Sequence, residues 1–425
     1  MNKSLKAYPL LVKLALGTLD DGWRKNSHGK ILAINAGSST LKWKLFSVPE
    51  ETVIASGMVD RLGLPDSVFT IKKADGSKYS ETKDRIDAKE AAAMVLTRLK
   101  SDNIVTHLSE ITGVGHRVVA GGEDFKDSVV ITSQTLKKIK DLSEYAPLHN
   151  PTQAYYIEVF RDLLPKATQV AVFDTSLYAD MPKVNYLYSI PYDYYEKFGA
   201  RKYGAHGTSH RYVANRTAQL LGKPLYSLKL VTLHLGSGAS ITAFDHGKAV
   251  DTSMGFTPLA GITMSTRSGD IDASIIPFLM RHLGISDVED FVDILNHKSG
   301  LLGISGLSPD MRDLDKTQDT RERSKLAIDI FVNRVVKYVG SYIAEMNGID
   351  ALVFTAGVGE NSWMIRERVT KALGYFGVTV DDEKNHMHGK EQIISKDDEP
   401  VTVMVVPTNE ELMIVRDVER LSKAE

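Results

Sequence analysis

The sequence predicts an α/β fold built as two related halves, and three observations carry that expectation. Strand-like β-branched runs alternate with helical segments along the chain. The stretch Ile31–Phe46, ILAINAGSSTLKWKLF, runs apolar into a small hydroxyl-rich turn. It leaves that turn as Leu41, Trp43 and Leu45 alternating with Lys42 and Lys44, the pattern of a hairpin. Leu228–Val250, LKLVTLHLGSGASITAFDHGKAV, repeats the pattern far downstream, so each half is expected to offer a Gly/Ser turn toward a shared cleft.

Length and composition fit two or three domains of a globular protein. The chain has 425 residues, 43% of them hydrophobic and 25% charged, which is ordinary for a soluble protein. Its 52 basic and 54 acidic residues leave a formal charge of -2, so nothing draws it to nucleic acid or an anionic membrane. The absence of Cys excludes disulfides, thiolate metal sites and a Cys nucleophile. Residues 1–29 hold a short apolar patch broken by Lys13, read as an N-terminal extension outside the catalytic fold with some amphipathic helix character. No other apolar run approaches the ~18 residues that span a bilayer, and the expected location is the cytoplasm.

In chain order, helices are expected at Ala88–Lys100, Thr152–Leu164, His210–Leu221 and Glu322–Met346. In the last, Ala327, Phe331, Val335, Tyr338 and Tyr342 share one face and read as core. No Pro/Ser-rich linker separates the halves, and the boundary is expected near Asp174–Asp180.

Three Gly-rich segments follow strand-like runs: Gly37–Thr40, Gly236–Ser240 and FTAGVGENS (Phe354–Ser362). Such turns are either ordinary connections or backbone cradles for phosphate. The third is read as a turn whose Gly357 and Gly359 bring a ligand against the start of a helix beginning at Trp363. Gly29, Gly222, Gly247 and Gly389 each precede Lys, but no Ser or Thr follows, so there is no P-loop. Arg117 and Arg267 lie among small or apolar residues, one in each half. Guanidinium binds both carboxylate and phosphoryl groups with a permanent charge. Of His149, His206, His210 and His234 three sit beside Gly or Pro turns, none has zinc-ligand spacing, and His206 reads as a donor to a phosphoryl oxygen. Asp174 and Glu410 lie at or just past strand ends, where with Asn35 they offer oxygens suited to Mg²⁺; each acid also reads as a simple cap.

With these residues in place the chain resembles the acetate/propionate/butyrate kinase family from Lys30 onward. The segments INAGSSTLKWKLF, GHRVV, APLHNP, VFDTS, YGAHGTSHRYVA, DTSMGFTPLAGITMSTRSGDID, GISGLSPDMRD, FTAGVGENS and PTNEEL carry the resemblance in the family's order. It implies the bilobal fold shared with actin, sugar kinases and chaperone ATPases, with two ribonuclease H-like domains around a cleft. Residues 30–176 plus 411–425 would form an N-terminal lobe completed by the C-terminal helix, and 177–410 a nucleotide-binding lobe. The implied reaction is reversible transfer of phosphate from ATP to acetate, giving acetyl phosphate and ADP. The implied cofactor is Mg²⁺, with Mn²⁺ as a substitute, and the implied assembly a homodimer.

Carried over by motif, the resemblance implies that Asn35 and Glu410 serve the metal and Lys42 the nucleotide. Arg117 would bind the acid's carboxylate, Asp174 would be catalytic, and His206 and Arg267 would stabilise the transition state. The nucleotide would lie on His234, Leu235, Gly236, Ser237 and Gly238, on Asp310, Met311 and Arg312, and on Gly357, Val358, Gly359, Glu360 and Asn361. Val119, Leu148 and Pro258 would line the pocket for the acyl methyl.

The chemistry of the residues agrees: a carboxylate is already nucleophilic at pH 7, so two anions must be aligned and their charge neutralised rather than a proton removed. Asp174 therefore reads as an orienting group or a partner of a Mg²⁺-bound water rather than a proton acceptor. The chain departs from the family pattern at Ser237, where Asn is usual, at Ser265, where Gly is usual, at Leu177-Tyr178 in place of Phe-His, and at the variable Ala205. A propionate or butyrate kinase differs only in pocket volume, and a non-catalytic actin-like nucleotide switch would not need both Arg117 and Arg267.

Overall fold

The first hairpin closes around a three-residue turn. β1 (Gly29–Ala36) and β2 (Thr40–Val48) pair antiparallel with Asn35 opposite Lys42 and Ala36 opposite Leu41, and Gly37 N–H donates to Thr40 O at 2.8 Å. Leu41, Trp43 and Leu45 are buried while Lys42 is exposed, as the period of two requires. The second hairpin, β9 (Lys229–Leu235) with β10 (Ala239–Asp245), is built alike, with Leu235 opposite Ala239 and Gly236 N–H donating to Gly238 O.

This computed structural model describes residues 28–147 and 149–423. They divide into one unit of residues 28–179 with 409–423 and a second of Asp180–Thr408. The extension expected over residues 1–29 falls almost wholly outside the described residues, as does Leu148.

Beyond β1 and β2, the first unit contains β3 (Thr52–Asp60), β4 (Ser67–Lys73), β5 (Lys78–Lys83), β6 (Ile111–Val118), β7 (Val129–Val130) and β8 (Thr168–Phe173). They form one sheet of order β5-β4-β3-β2-β1-β6-β8-β7. The second unit adds β11 (Lys248–Thr252), β12 (Ala351–Thr355), β13 (Gln392–Ile393) and β14 (Thr402–Val405), in the order β11-β10-β9-β12-β14-β13. Set aside β4 and β5 and the two orders coincide: three antiparallel strands, two more added in parallel, and an antiparallel edge strand. The two related halves expected from the hairpins are thus two copies of one topology.

In the first unit, one sheet face carries the helices Ala88–Ser101 and Asn150–Leu163 over a core that includes Leu32, Val114, Tyr156 and Phe160. The other face of β6 receives the helix Glu410–Ser422. It comes so close that a β-carbon on Gly113 would lie 2.4 Å from Val418, and one on Gly115 2.2 Å from Ile414, so neither position tolerates a side chain. The expected helix at Thr152 starts at Asn150, because Pro151 suits a first turn that needs no N–H.

In the second unit the helix Glu322–Met346 spans its predicted range and buries Ala327, Phe331, Val335 and Tyr342, while Tyr338 stays partly exposed and donates to Asp270. The helix expected from His210 begins at Gly207, with His206 as its N-cap. FTAGVGENS departs from expectation. Ala356–Asn361 is itself helical directly after β12, and Ser362 then caps the separate helix Trp363–Ala372. Glu360 explains the difference: its carboxylate accepts the Ala356 N–H at 2.9 Å and so closes the first turn.

Candidate active site

Four of the expected residues meet in the first unit. Asn35 lies near the end of β1, Arg117 near the end of β6, Asp174 just past β8, and Glu410 opens the last helix, which Asn409 caps by accepting the Leu412 N–H. Strand C-termini in such sheets are where ligand groups gather. Arg117 Nε donates to Asp174 Oδ1 at 3.0 Å, its Nη2 to Oδ2 at 2.6 Å, and its Nη1 to Asn35 Oδ1 at 3.3 Å. Asp174 is 1% exposed, so both of its oxygens belong to this bidentate pair. Burial works against the charge of Arg117, but Asp174 outweighs it and holds the guanidinium more firmly protonated than usual. Burial also pushes the Glu410 carboxyl up to about 7, with Asp174 and Glu411 adding to the shift while Arg117 opposes it.

Among the described residues no group of three or more His, Cys, Asp or Glu forms a ready metal cage. The oxygens of Asn35 and Glu410 nevertheless fit Mg²⁺, which usually takes one or two carboxylates and keeps waters and phosphates for the rest. A carboxyl displaced upward by burial is one that a cation would relieve.

Val119 is buried, and its N–H donates to Gln153 Oε1 at 3.0 Å. Asn150 grips Ala120 through its N–H and C=O at 3.0 and 2.9 Å. The APLHNP segment thereby fixes the backbone that follows Arg117. His149 is the N-cap of that helix, and Tyr178 is fully buried.

In the second unit the Gly236–Gly238 turn gathers the transition-state candidates. His206 adopts φ +56°, a costly left-handed conformation for a residue with a β-carbon, at the N-cap of Gly207–Leu221. A β-carbon placed on Gly238 would lie 3.4 Å from His206 Nε2 and 3.5 Å from Arg267 Nη1. Both side chains thus flank one bare stretch of backbone. Arg267 Nη1 also donates to Pro258 O at 3.2 Å, so Pro258 meets Arg267 through its carbonyl. The loop carrying Arg267 is clamped by Gly300, whose φ of +61° lets it lie against Met264 and Arg267 backbone where a β-carbon would approach to 2.2 Å. The rings of His206 and His234 stack with centroids 4.2 Å apart.

A cavity of about 930 Å³ opens from this turn. Of the residues expected at the nucleotide it is lined by Gly236, Ser237, Gly238, Asp310, Met311, Arg312, Gly357, Val358 and Asn361, and it also takes in Arg267. It does not include Leu235, which is buried in the core, His234, Gly359 or Glu360. Glu360 instead accepts from the N–H groups of Ala356 and Thr408. Arg312 chelates Asp310, whose carboxyl it holds below its ordinary value. Lys42 belongs to the first unit, exposed beside Asn35 on the neighbouring strand. The cavity walls contain residues with no local signal in the sequence, among them Phe331, Trp363, Lys316 and His388. Asp315 and Lys316 stand one helical turn beyond the MRD motif, and His388 is held by its Nδ1–Asn361 O contact of 2.7 Å.

A sequence profile of the Acetokinase family matches residues 30–416. The chain belongs to the acetokinase family. It is 66% identical over 392 residues to a protein named acetate kinase 1 from Latilactobacillus sakei, covering 92% of this chain and 99% of that protein. Among solved structures, Porphyromonas gingivalis acetate kinase superposes with a TM-score of 0.88 at 42% identity, covering 93% of this chain and all of that one. A Francisella tularensis propionate kinase gives 0.87 at 39% identity over 92% of this chain and all of its own.

Two of the positions expected from the resemblance to depart from the family pattern, Ser237 and Ser265, touch each other. Ser265 N–H donates to Ser237 O at 3.1 Å, joining the Arg267 loop to the glycine turn. The bond is backbone to backbone, so neither serine side chain is required for it.

Proposed function

We propose that the chain is an acetate kinase, moving a phosphoryl group reversibly between ATP and acetate. The observation that carries this reading is the bare backbone at Gly238, flanked by His206 and Arg267 and opening on the cavity lined by the three glycine- and aspartate-containing motifs. In this reading residues 30–176 with 411–425 hold the acid and 177–410 hold the nucleotide.

Arg117 binds the acetate carboxylate. Among the described residues three of its five N–H groups are engaged, by Asp174 and Asn35, which leaves two for the substrate. Asp174, with both oxygens on Arg117, orients that guanidinium and has no need to accept a proton, since acetate is ionised at pH 7. Val119 offers a buried apolar side chain for the methyl group. The acid and the γ-phosphate must lie on one reaction axis, and His206 and Arg267 neutralise charge on the phosphoryl oxygens as transfer proceeds. Asn35 and Glu410 would hold Mg²⁺ or Mn²⁺, which when bound offsets the charge of the polyphosphate. Lys42 adds a cation for the nucleotide.

The test is to incubate the protein with Mg-ATP and formate, acetate, propionate or butyrate and to trap acyl phosphate with hydroxylamine. The expected result is hydroxamate with acetate giving the highest kcat/KM. ATP binding without hydroxamate from any acid would leave a nucleotide switch instead. The near-equal likeness to a propionate kinase favours one second reading, a longer acid, and the rank order decides it because one methylene is worth about 1–3 kcal/mol.

The reading includes a cytoplasmic homodimer. Val184 (85% exposed), Phe198 (67%) and Leu283 (59%) leave apolar surface on the second unit that a second copy would cover. A solution mass of one chain would remove the dimer.

A further inference from the structure

A line of buried hydrogen bonds runs behind His206 and is used by nothing described so far. Thr232 Oγ1 lies 2.6 Å from His210 Nδ1, His210 Nε2 lies 2.8 Å from Ser240 Oγ, and Ser240 Oγ lies 2.9 Å from His206 Nδ1. Thr232, His210 and Ser240 are each 0% exposed, so bulk water does not reach them and they are satisfied by one another. They come from three elements: β9, the helix Gly207–Leu221 and β10. On the helix His206 and His210 stand four residues apart, which brings both rings to Ser240.

Proton counting gives the line a direction. Among the described residues the Thr232 hydroxyl has one hydrogen-bond partner, His210 Nδ1, and a buried hydroxyl that did not donate would leave its proton unsatisfied. Thr232 therefore donates to His210 Nδ1. Burial holds His210 neutral, so its single ring proton sits on Nε2 and is donated to Ser240 Oγ. Ser240, having accepted from His210, donates its own proton to His206 Nδ1. With Nδ1 an acceptor, a neutral His206 carries its proton on Nε2, the nitrogen that faces Gly238.

We propose that Thr232, His210 and Ser240 are positioning residues for phosphoryl transfer: their one-way chain of hydrogen bonds keeps His206 with Nε2–H directed at the Gly238 turn, where the transferring phosphoryl group is bound. This inference rests on the phosphotransferase reading for its consequence, but the proton placement itself stands apart from it. The chain also holds the His206 ring in place against its strained backbone, so the donor is oriented before substrate arrives.

The test combines spectroscopy with kinetics on the full-length protein. Nitrogen-15 NMR of histidine-labelled protein is expected to show both His206 and His210 unprotonated at Nδ1 and protonated at Nε2; a proton on Nδ1 of either ring overturns the proposal. Ser240→Ala and Thr232→Val are expected to lower kcat about 10–100-fold with KM for ATP and acetate changed less than about twofold. Thr232→Ser, which keeps the hydroxyl, recovers most of the rate. Unchanged kcat in folded Ser240→Ala and Thr232→Val overturns the positioning role, as does a Thr232→Ser protein as slow as Thr232→Val. Should either apolar variant fail to fold, the NMR of the unsubstituted protein still decides the proton placement. A wild-type protein that forms no acyl phosphate from any acid would end the phosphotransferase reading while leaving the tautomers to be read independently.

Discussion

Replacing Gly238 by Ala separates stability from catalysis at one atom. The new β-carbon would lie 3.4 Å from His206 Nε2 and 3.5 Å from Arg267 Nη1, ordinary van der Waals contact, and Gly238 is not among the glycines with positive φ. The fold therefore accepts the methyl group. Loss of glycine's freedom in the unfolded chain is worth about 0.4–1 kcal/mol, so stability is expected to hold level or rise slightly. Activity is another matter, because the methyl group takes the space between the two groups meant to clasp the phosphoryl oxygens. Displacing a reacting group by about 1 Å costs on the order of 10²-fold, and kcat is expected to fall by at least that much. Gly340→Ala is the control: it lies inside the helix Glu322–Met346 with nothing within 4 Å of its would-be β-carbon. It should gain stability of up to about 1 kcal/mol and keep full turnover. Urea unfolding and the hydroxamate assay read the two effects. A Gly238→Ala protein that turns over within about twofold of the unsubstituted enzyme would refute the placement of the phosphoryl group at this turn.

Three further outcomes are expected. Arg267→Ala should lower kcat about 10²–10³-fold while leaving the fold intact, as loss of a preorganised transition-state donor does; near-normal turnover would remove Arg267 from the mechanism. Arg117→Ala should raise the KM for acetate strongly and also destabilise the first unit by about 3–5 kcal/mol, because Asp174 is left buried without its partner. Arg117→Lys keeps a charge beside Asp174 and tells the two effects apart: an unchanged acetate KM in both variants would refute carboxylate binding. His116 gives a pH dependence. Burial depresses it to about 4 from an ordinary 6.5, so the unfolded chain binds more protons between those values. The stability it contributes is present above pH 6.5 and is lost as pH falls toward 4, an effect of about 3 kcal/mol that His116→Gln should remove from urea titrations across that range.

The parts of the fold that are legible in the sequence are those set by neighbours along the chain. The two hairpins follow from alternation around a Gly/Ser turn, and the helix Glu322–Met346 from its stripe of Ala327, Phe331, Val335 and Tyr342. Ala356–Asn361 is not legible as a helix, because Gly357 and Gly359 lower its intrinsic propensity and the cap that forms it is Glu360 folding back on Ala356. In the candidate site, Arg117, Asp174, His206 and Arg267 announce themselves by charge among small residues. The convergence of His206 and Arg267 on Gly238 depends on a tertiary approach that no spacing encodes. Lys316, Trp363 and His388 line the cavity from separate elements, and Thr232 and Ser240 read as ordinary strand residues until their hydroxyls are followed.

The helix Glu410–Ser422 lies against Gly113 and Gly115 of β6, so the first unit takes a covering element from beyond the second unit in sequence. During synthesis this reverses the usual order in which domains mature, since the sheet made first waits with the β6 face bare until a helix encoded beyond the whole second unit has been made. The inserted unit, with all of its own strands already synthesised, is free to finish before the unit that began ahead of it. Truncation ahead of Glu410 would therefore spoil the earliest-made part of the protein, leaving a strand surface shaped by two glycines with nothing to receive.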